Sequence, residues 1–296
     1  MEWIEICTII NRGRPIKGSG LLSTAAAVLS PLSVNSVNCE IMLEAVKHDM
    51  PIIPTTCPMA GSTSPYAPDG TLVQGIAESL IIICAAQVLN PGNPCLFSFG
   101  PSVTEMNTGR DLYYTIDKVL LKIAAIQFAK RLGLPTVAET GGAMNCRCDM
   151  QSGAEGMLMA LSAAVSGADV LAGAGSCLNA NGLSPEFIVM QHAFVETAQF
   201  LHNGFDISGI EKSLNSIREQ NCGGNFLTDG LTIDNLYDND FFKNPLFDMA
   251  GEIGGGVSMF ERANDAARKI NENFVSPVPE DIAQNLRMFF ELIYKK

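Results

Sequence analysis

Short, nearly unbroken apolar runs alternate along the chain with longer stretches in which apolar residues recur every three or four positions. Strands of a parallel sheet are buried on both faces, whereas the helices that cover them are apolar on one, so this alternation predicts βα units around a parallel sheet. Five units are expected, with strands at 24–29, 51–56, 95–99, 135–138 and 170–174. The intervening helices are expected at 39–48, over a stretch carrying Leu72, Ile76, Leu80, Cys84 and Val88 as its sheet-facing row, around Ile116, Leu120, Ile123 and Gln127, at 152–166, and from Pro185 to about Leu201. Asn90-Pro91-Gly92-Asn93, Gly100-Pro101 and Gly133-Leu134-Pro135 supply the breaks between elements.

Beyond Asn203 the alternation stops. Residues 207–296 read as helices joined by Asn- and Gly-containing turns, with amphipathic stretches at 257–273 and 279–294. The expected organisation is one sheet-bearing unit over 1–203 and a helical segment over 204–296 packed against it. No internal repeat or low-complexity tract marks a flexible linker. Gly251–Gly256, although glycine-rich, follows no apolar strand and precedes no Walker lysine, so it is expected to be a turn and not a phosphate cradle.

In parallel α/β folds, functional groups collect on the loops that follow the strands. Those loops are polar here: Met59 and Ser62, then Ser98, Thr104, Glu105 and Asn107, then Glu139, Asn145 and Asp149, then Asn179 and Asn181. Any one of these residues can be explained by the needs of loop backbone. Their recurrence after successive strands is what points to a site.

A formal charge of −12 and a pI near 4.7 argue against nucleic acid or an anionic membrane as partner, and favour a neutral or cationic ligand. The nine cysteines lie mostly in apolar runs, without the spacing of a secreted disulfide scaffold, and are expected to be reduced thiols of a cytoplasmic protein. Glu2 and Glu5 stand where a secretory signal needs positive charge, and the most apolar run, Ser79–Ala86, is too short to span a bilayer, so no membrane segment is expected. Cys146 and Cys148 could ligate zinc together with Cys57 or a histidine, but the Cys-x-Cys spacing is narrower than usual, which favours inert thiols. No nucleophilic triad pattern surrounds His48, His192 or His202.

The run Cys57-Pro58-Met59-Ala60-Gly61-Ser62-Thr63-Ser64-Pro65, preceded by Leu43-Glu44-Ala45 and Pro51-Ile52-Ile53 and followed by Gly70-Thr71-Leu72, resembles the Pro-Met-Ala-Gly-Ala-Thr-x-Pro signature of the trimethylamine methyltransferase family. Met106-Asn107-Thr108-Gly109, Gly133-Leu134-Pro135, Asp149-x-Gln151, Gly167-Ala168-Asp169 and Cys222-Gly223-Gly224-Asn225-Phe226-Leu227 continue the similarity in the family's order. The resemblance implies an α/β fold of the TIM (β/α)₈ barrel type. It also implies a methyl group moved from a methylated or quaternary amine to cobalt in a corrinoid carried by a separate protein, so no cofactor is bound directly. Members of the family are longer, so the five units should correspond to the last five of eight in an incomplete barrel. Open parallel edges then call for closure by a homo-oligomer or an N-terminal partner. The loop 139–149 lies near the family's pyrrolysine position yet carries only standard residues, which makes the chain similar to glycine-betaine-type members. Asn225 stands where the family has histidine.

On this resemblance Glu139 and Glu105 would stabilise the ammonium charge, Asn107 and Asn179 would orient the substrate's other end, Met59 and Phe99 would be apolar walls, and Asn145 and Asp149 would complete the substrate site. Two alternatives stand beside it: a zinc-assisted methyltransferase using Cys146 and Cys148, and a non-catalytic subunit that binds quaternary amines.

Overall fold

The computed structural model describes residues 2–236, 241–249 and 256–294. In chain order it forms α1 (Glu2–Ile10), β1 (Thr24–Val28), α2 (Ser36–Lys47), β2 (Ile52–Thr56), β3 (Met59–Ala60), α3 (Pro68–Leu89), β4 (Phe97–Ser98), β5 (Ser102–Glu105), β6 (Arg110–Leu112) and α4 (Ile116–Arg131). There follow β7 (Thr136–Glu139), α5 (Met150–Val165), β8 (Val170–Ala172), β9 (Ser176–Cys177), β10 (Gly182–Leu183), α6 (Pro185–Asn203), α7 (Ile210–Gln220), α8 (Gly230–Asn235), α9 (Met259–Glu272) and α10 (Glu280–Tyr294). The glycine-rich stretch 251–255 lies outside the described residues.

The strands β1, β2, β4, β7 and β8 stand side by side in chain order, all parallel. Thr24 pairs with Ile52, Phe97 with Thr136, and Val137 with Val170. The bridge of Ile52 to Cys95, with Leu96 N–H donating to the Ile52 carbonyl at 3.0 Å, joins β2 to β4. These are the five βα units expected from the alternation. Among the described residues β1 and β8 do not pair, so the α/β arc is not a closed barrel.

The helices cover one face of the arc. Ala26, Val28 and Ile52 pack with Met42, Ala45, Val46, Ile82 and Ala86; Phe97 and Phe99 pack with Ile83, Leu121 and Ala125; Ala138 packs with Ile126 and Ala163. Residues that alternate onto the other face are open or half-open: Ala25, Thr55 and Val170 are exposed, and Ala27, Ile53 and Val137 are half-buried. This face is therefore only partly screened from water.

Two helix faces differ from the expected ones. In α3 the buried stripe is Thr71, Gly75, Glu78, Ser79, Ile82, Ile83 and Ala86, while Cys84 and Val88 point to solvent. The helix is apolar all round, so four-residue spacing of large apolar side chains could not select the face, and small residues made the close approach. A Cβ on Gly75 would lie 2.0 Å from the Phe99 ring. In α4 the stripe is Lys118, Val119, Leu121, Lys122, Ala125, Ile126 and Ala129, whereas Ile116 and Leu120 are exposed. Two lysines occupy core positions there, which hides the stripe from a search for apolar residues.

The length of α3 also exceeds expectation. At 22 residues, with a mean hydropathy of 1.9 over an 18-residue window, it is long and apolar enough to cross a bilayer, unlike the short run at 79–86 alone. Its Thr71–Ala86 stripe lies instead on β2, with Glu78 fully buried and accepting from Ser30 Oγ at 2.7 Å, Leu32 N–H at 3.0 Å and Gln74 Nε2 at 2.9 Å. A carboxylate satisfied on three sides by this chain anchors α3 to the loop after β1. In the C-terminal part, α9 docks on α6, with Ala263 among Phe187, Phe194 and Ala198, and α10 meets α1 where Arg12 pairs with Asp281 at 3.3 Å.

Candidate functional site

Because the five strands are parallel, their carboxyl ends make one rim, where Cys57, Gly100, Glu139 and Gly173 follow β2, lie near the end of β4, end β7 and follow β8. Glu139 lies on the less covered face of β7, with 28% of its side chain accessible. The first two turns of α4 bring Lys118 and Lys122, four residues apart on one helix face, against it.

Lys118 is fully buried. Its Nζ lies 2.6 Å from Glu139 Oε2, in contact but off the line of a well-formed hydrogen bond, and 2.9 Å from the centre of the Tyr113 ring. Tyr113 Oη donates to Glu139 Oε1 at 2.9 Å. Lys122 donates to the Glu139 carbonyl at 2.8 Å and to that of Met159 at 3.4 Å. Desolvation lowers the pKa of both lysines, opposed by the charge of Glu139, and brings Lys122 to about 8. Burial first, then the neighbouring Glu139, pushes Tyr113 far above the ordinary phenol range, so it is a hydrogen-bond donor at any working pH. Cys57 is open on its outer side but hemmed in towards Tyr113 and Lys118, and desolvation pushes its thiol up.

A second tyrosine supports the first. The rings of Tyr113 and Tyr114 meet edge to face at 5.0 Å, and Tyr114 Oη donates to Ser176 Oγ at 2.8 Å; burial pushes its phenol up to about 12. Gly142 lies against this ring so closely that a Cβ would stand 2.0 Å from it, at a backbone φ of +134° that side chains rarely adopt. Behind β8, buried Gln191 accepts from Gly175 N–H at 2.6 Å while its Nε2 has no hydrogen-bond partner among the described residues.

The structure brings Asn179 and Glu139 to the same tyrosine. Asn179, at φ +51°, accepts from Tyr113 N–H at 2.8 Å and donates to the Asp111 carbonyl at 2.6 Å, clipping the loop after β8 to the segment leading into α4. Asn145 is tied to that loop through its carbonyl, which accepts from Leu178 N–H at 3.0 Å, and its Oδ1 accepts from Arg147 N–H. Asp149 caps α5 and pairs with Arg147 at 3.2 Å. Glu105 and Asn107 stand apart in the exposed β5–β6 turn, where Glu105 accepts from the backbone of Asn107 and Thr108 and from Asn107 Nδ2. Met59 is half-buried, its N–H bonded to Thr63 Oγ1, and Phe99 is a core residue between the sheet and α3.

Tyr113, Tyr114, Lys118, Lys122 and Gln191 were not singled out by the loop argument. The available signal was Lys118 and Lys122 four residues apart on a helix otherwise lined by Val119, Leu121, Ile126 and Ala129, directly after a tyrosine pair. Zinc fares differently: among the described residues no group of three or more His, Cys, Asp or Glu is placed to hold a metal, so the Cys146–Cys148 reading lacks a ligand set.

Together these features define a parallel α/β protein with a polar cluster gathered at the carboxyl ends of its strands. The chain belongs to the trimethylamine methyltransferase (MTTB) family, whose profile matches residues 1–293. It is 26% identical over 281 residues to the glycine betaine methyltransferase of Desulfitobacterium hafniense, covering 93% of this chain and 58% of that one. It is 26% identical over 211 residues to the proline betaine:corrinoid methyltransferase of Eubacterium limosum, covering 70% and 44%. With the trimethylamine methyltransferase of Methanosarcina barkeri the figures are 24% over 264 residues, 87% and 53%. The chain thus spans about half the length of the curated relatives it matches. The solved monomethylamine methyltransferase of M. barkeri aligns with a TM-score of 0.47 at 14% identity, over 86% of this chain and 51% of that one.

Proposed function

We propose that this chain takes part in moving a methyl group from a methylated or quaternary amine, glycine-betaine-like in type, to a corrinoid held by a separate protein. The observation that carries the reading is Glu139: in a chain of this family, a glutamate at the end of β7 is held by Lys118 and Tyr113 with part of its side chain accessible. When its carrier docks, the corrinoid supplies a cobalt that accepts the methyl group.

The chain's own residues hold and orient. The open side of Glu139 attracts the ammonium, and Tyr113, clamped by Asn179, keeps the carboxylate aimed. The C–N electron pair stays on nitrogen, so the amine leaves neutral and the site moves no proton; positioning is the main contribution. The partner expected to complete the five-stranded arc, a second copy or an N-terminal chain, belongs to the same proposal.

The test is calorimetric titration of the chain with glycine betaine, proline betaine and trimethylamine, followed by methyl transfer to reduced free cobalamin read in visible absorbance. Betaine binding with transfer supports the proposal. Binding without transfer supports the non-catalytic subunit, and no binding of any of the three ends both.

A further inference from the structure

Of the thiols near the rim that methyl transfer does not use, Cys146 and Cys177 stand on adjoining loops. The loops after β7 and β8 lie side by side, with Leu178 N–H donating to the Asn145 carbonyl at 3.0 Å and Asn179 N–H to the Ala143 carbonyl at 3.1 Å. Leu178 and Asn179 hold left-handed backbone at φ +50° and +51°, so this is a contact between loops and not a strand pair. The first of the two bonds joins the peptide group between Cys177 and Leu178 to the one between Asn145 and Cys146, so each cysteine Cα belongs to one of the two bonded groups. That brings the pair within reach of a disulfide, which spans Cα atoms roughly 4.4–6.8 Å apart. Each residue's surroundings divide the work: Cys146 is exposed, whereas Cys177 is 4% exposed and its thiol is pushed up by burial and then by the charge of Cys146.

We propose that Cys146 and Cys177 form a dithiol site that accepts an oxidative cross-link from a low-molecular-weight disulfide. Cys146, as thiolate, attacks one sulfur of the small disulfide; an S–S bond forms to the protein and one small thiolate leaves. Cys177 then gives up its proton and attacks Cys146 Sγ, forming the internal disulfide and expelling the second small thiolate. Two protein thiols are oxidised and one small disulfide is reduced to two thiols. The cross-link falls beside Ser176, which holds Tyr114, and two residues from Asn179, which holds Tyr113, so it fixes the loops that brace the tyrosines under Glu139.

Treating the reduced full chain with oxidised glutathione and mapping non-reduced tryptic peptides tests the site. Trypsin cuts after Arg147, placing Cys146 on one peptide and both Cys148 and Cys177 on the next. The expected product joins these peptides at a mass two hydrogens below their sum, persists in C148S, and disappears in C146S and in C177S. C177A serves as a second variant, should the buried serine perturb folding. A cross-link lost in C148S but kept in C177S or C177A, or glutathione adducts alone at Cys146, overturns the proposal.

Discussion

Lys118 Nζ stands 2.6 Å from Glu139 Oε2, the lysine sealed from water and the glutamate side chain 28% accessible. The pair is therefore asymmetric. Removing the carboxylate strands a buried ammonium, whereas removing the ammonium leaves a carboxylate that still accepts from Tyr113 on a partly accessible side chain. E139Q is expected to cost about 2–4 kcal/mol and K118M roughly half as much. K118M/E139Q should come close to K118M alone. Urea denaturation of the three variants measures the cycle, and additive single losses would show that the two residues do not act as a pair.

Lys122 makes stability depend on pH in a direction that its burial fixes. Its folded-state pKa of about 8 lies below the ordinary lysine value of about 10.4, so between these values the unfolded chain binds more protons. Stability from this group therefore rises with pH through that range, by roughly 3 kcal/mol in all, and is flat below about pH 7. The wild-type minus K122M difference in unfolding free energy, followed from pH 7 to 10.5, should grow accordingly. A difference that shrinks with pH would mean that the ammonium is stabilised where it lies.

The sheet was legible in the sequence because apolar runs at 24–29, 51–56, 95–99, 135–138 and 170–174 have no other economical use, and all five became parallel strands in chain order. Short elements were not: β5 and β6 form a hairpin through polar residues 102–112, and α1 begins with alternating acidic and apolar positions. The site was half legible. Glu139 and Asn179 stand out as polar residues after strands, but their meeting point is Tyr113, which reaches Asn179 through its backbone N–H and Glu139 through its hydroxyl, and which no linear pattern announces. Lys118 and Lys122 read as surface residues in any scale that places charge outside, and only their partners explain their burial.

Asn179 joins two loops with one side chain while holding a left-handed backbone, a conformation that Asn tolerates better than most residues. N179A should lose about 1–3 kcal/mol, because two backbone groups lose their partner and the strain stays. N179G should recover only the backbone part. Thermal unfolding of both variants separates the terms: N179G at wild-type stability would deny the side chain any clamping role.

The outer edges of β1 and β8, which pair with no further strand among the described residues, together with exposed Ala25, Thr55 and Val170 on the less covered face, present backbone and apolar surface to solvent. Such edges pair with another chain when one is available. At micromolar concentration the chain is expected to run in light scattering above the 31.6 kDa of one copy. A monodisperse species of one-copy mass that fails to bind a hydrophobic dye would remove the need for a partner at these edges.

The last expectation concerns ligand charge, and the Lys118 contact decides how it must be tested. In the intact chain, E139Q would change stability and binding together, so the clean comparison is K118M against K118M/E139Q, where no buried ammonium is stranded in either. With Lys118 gone, Glu139 has no competing cation at 2.6 Å, and a quaternary ammonium placed against its open side should bind more tightly to K118M than to wild type. Adding E139Q should then weaken binding of glycine betaine by roughly 1–3 kcal/mol, the loss expected when an ion forfeits a charged partner. A neutral isostere of the same shape should change much less, since it never felt the charge. Titration calorimetry with both ligands on both variants measures this. Equal losses for the charged and the neutral ligand would mean that Glu139 only holds Tyr113 and α4 in place, and the ammonium site would have to be sought elsewhere on the rim.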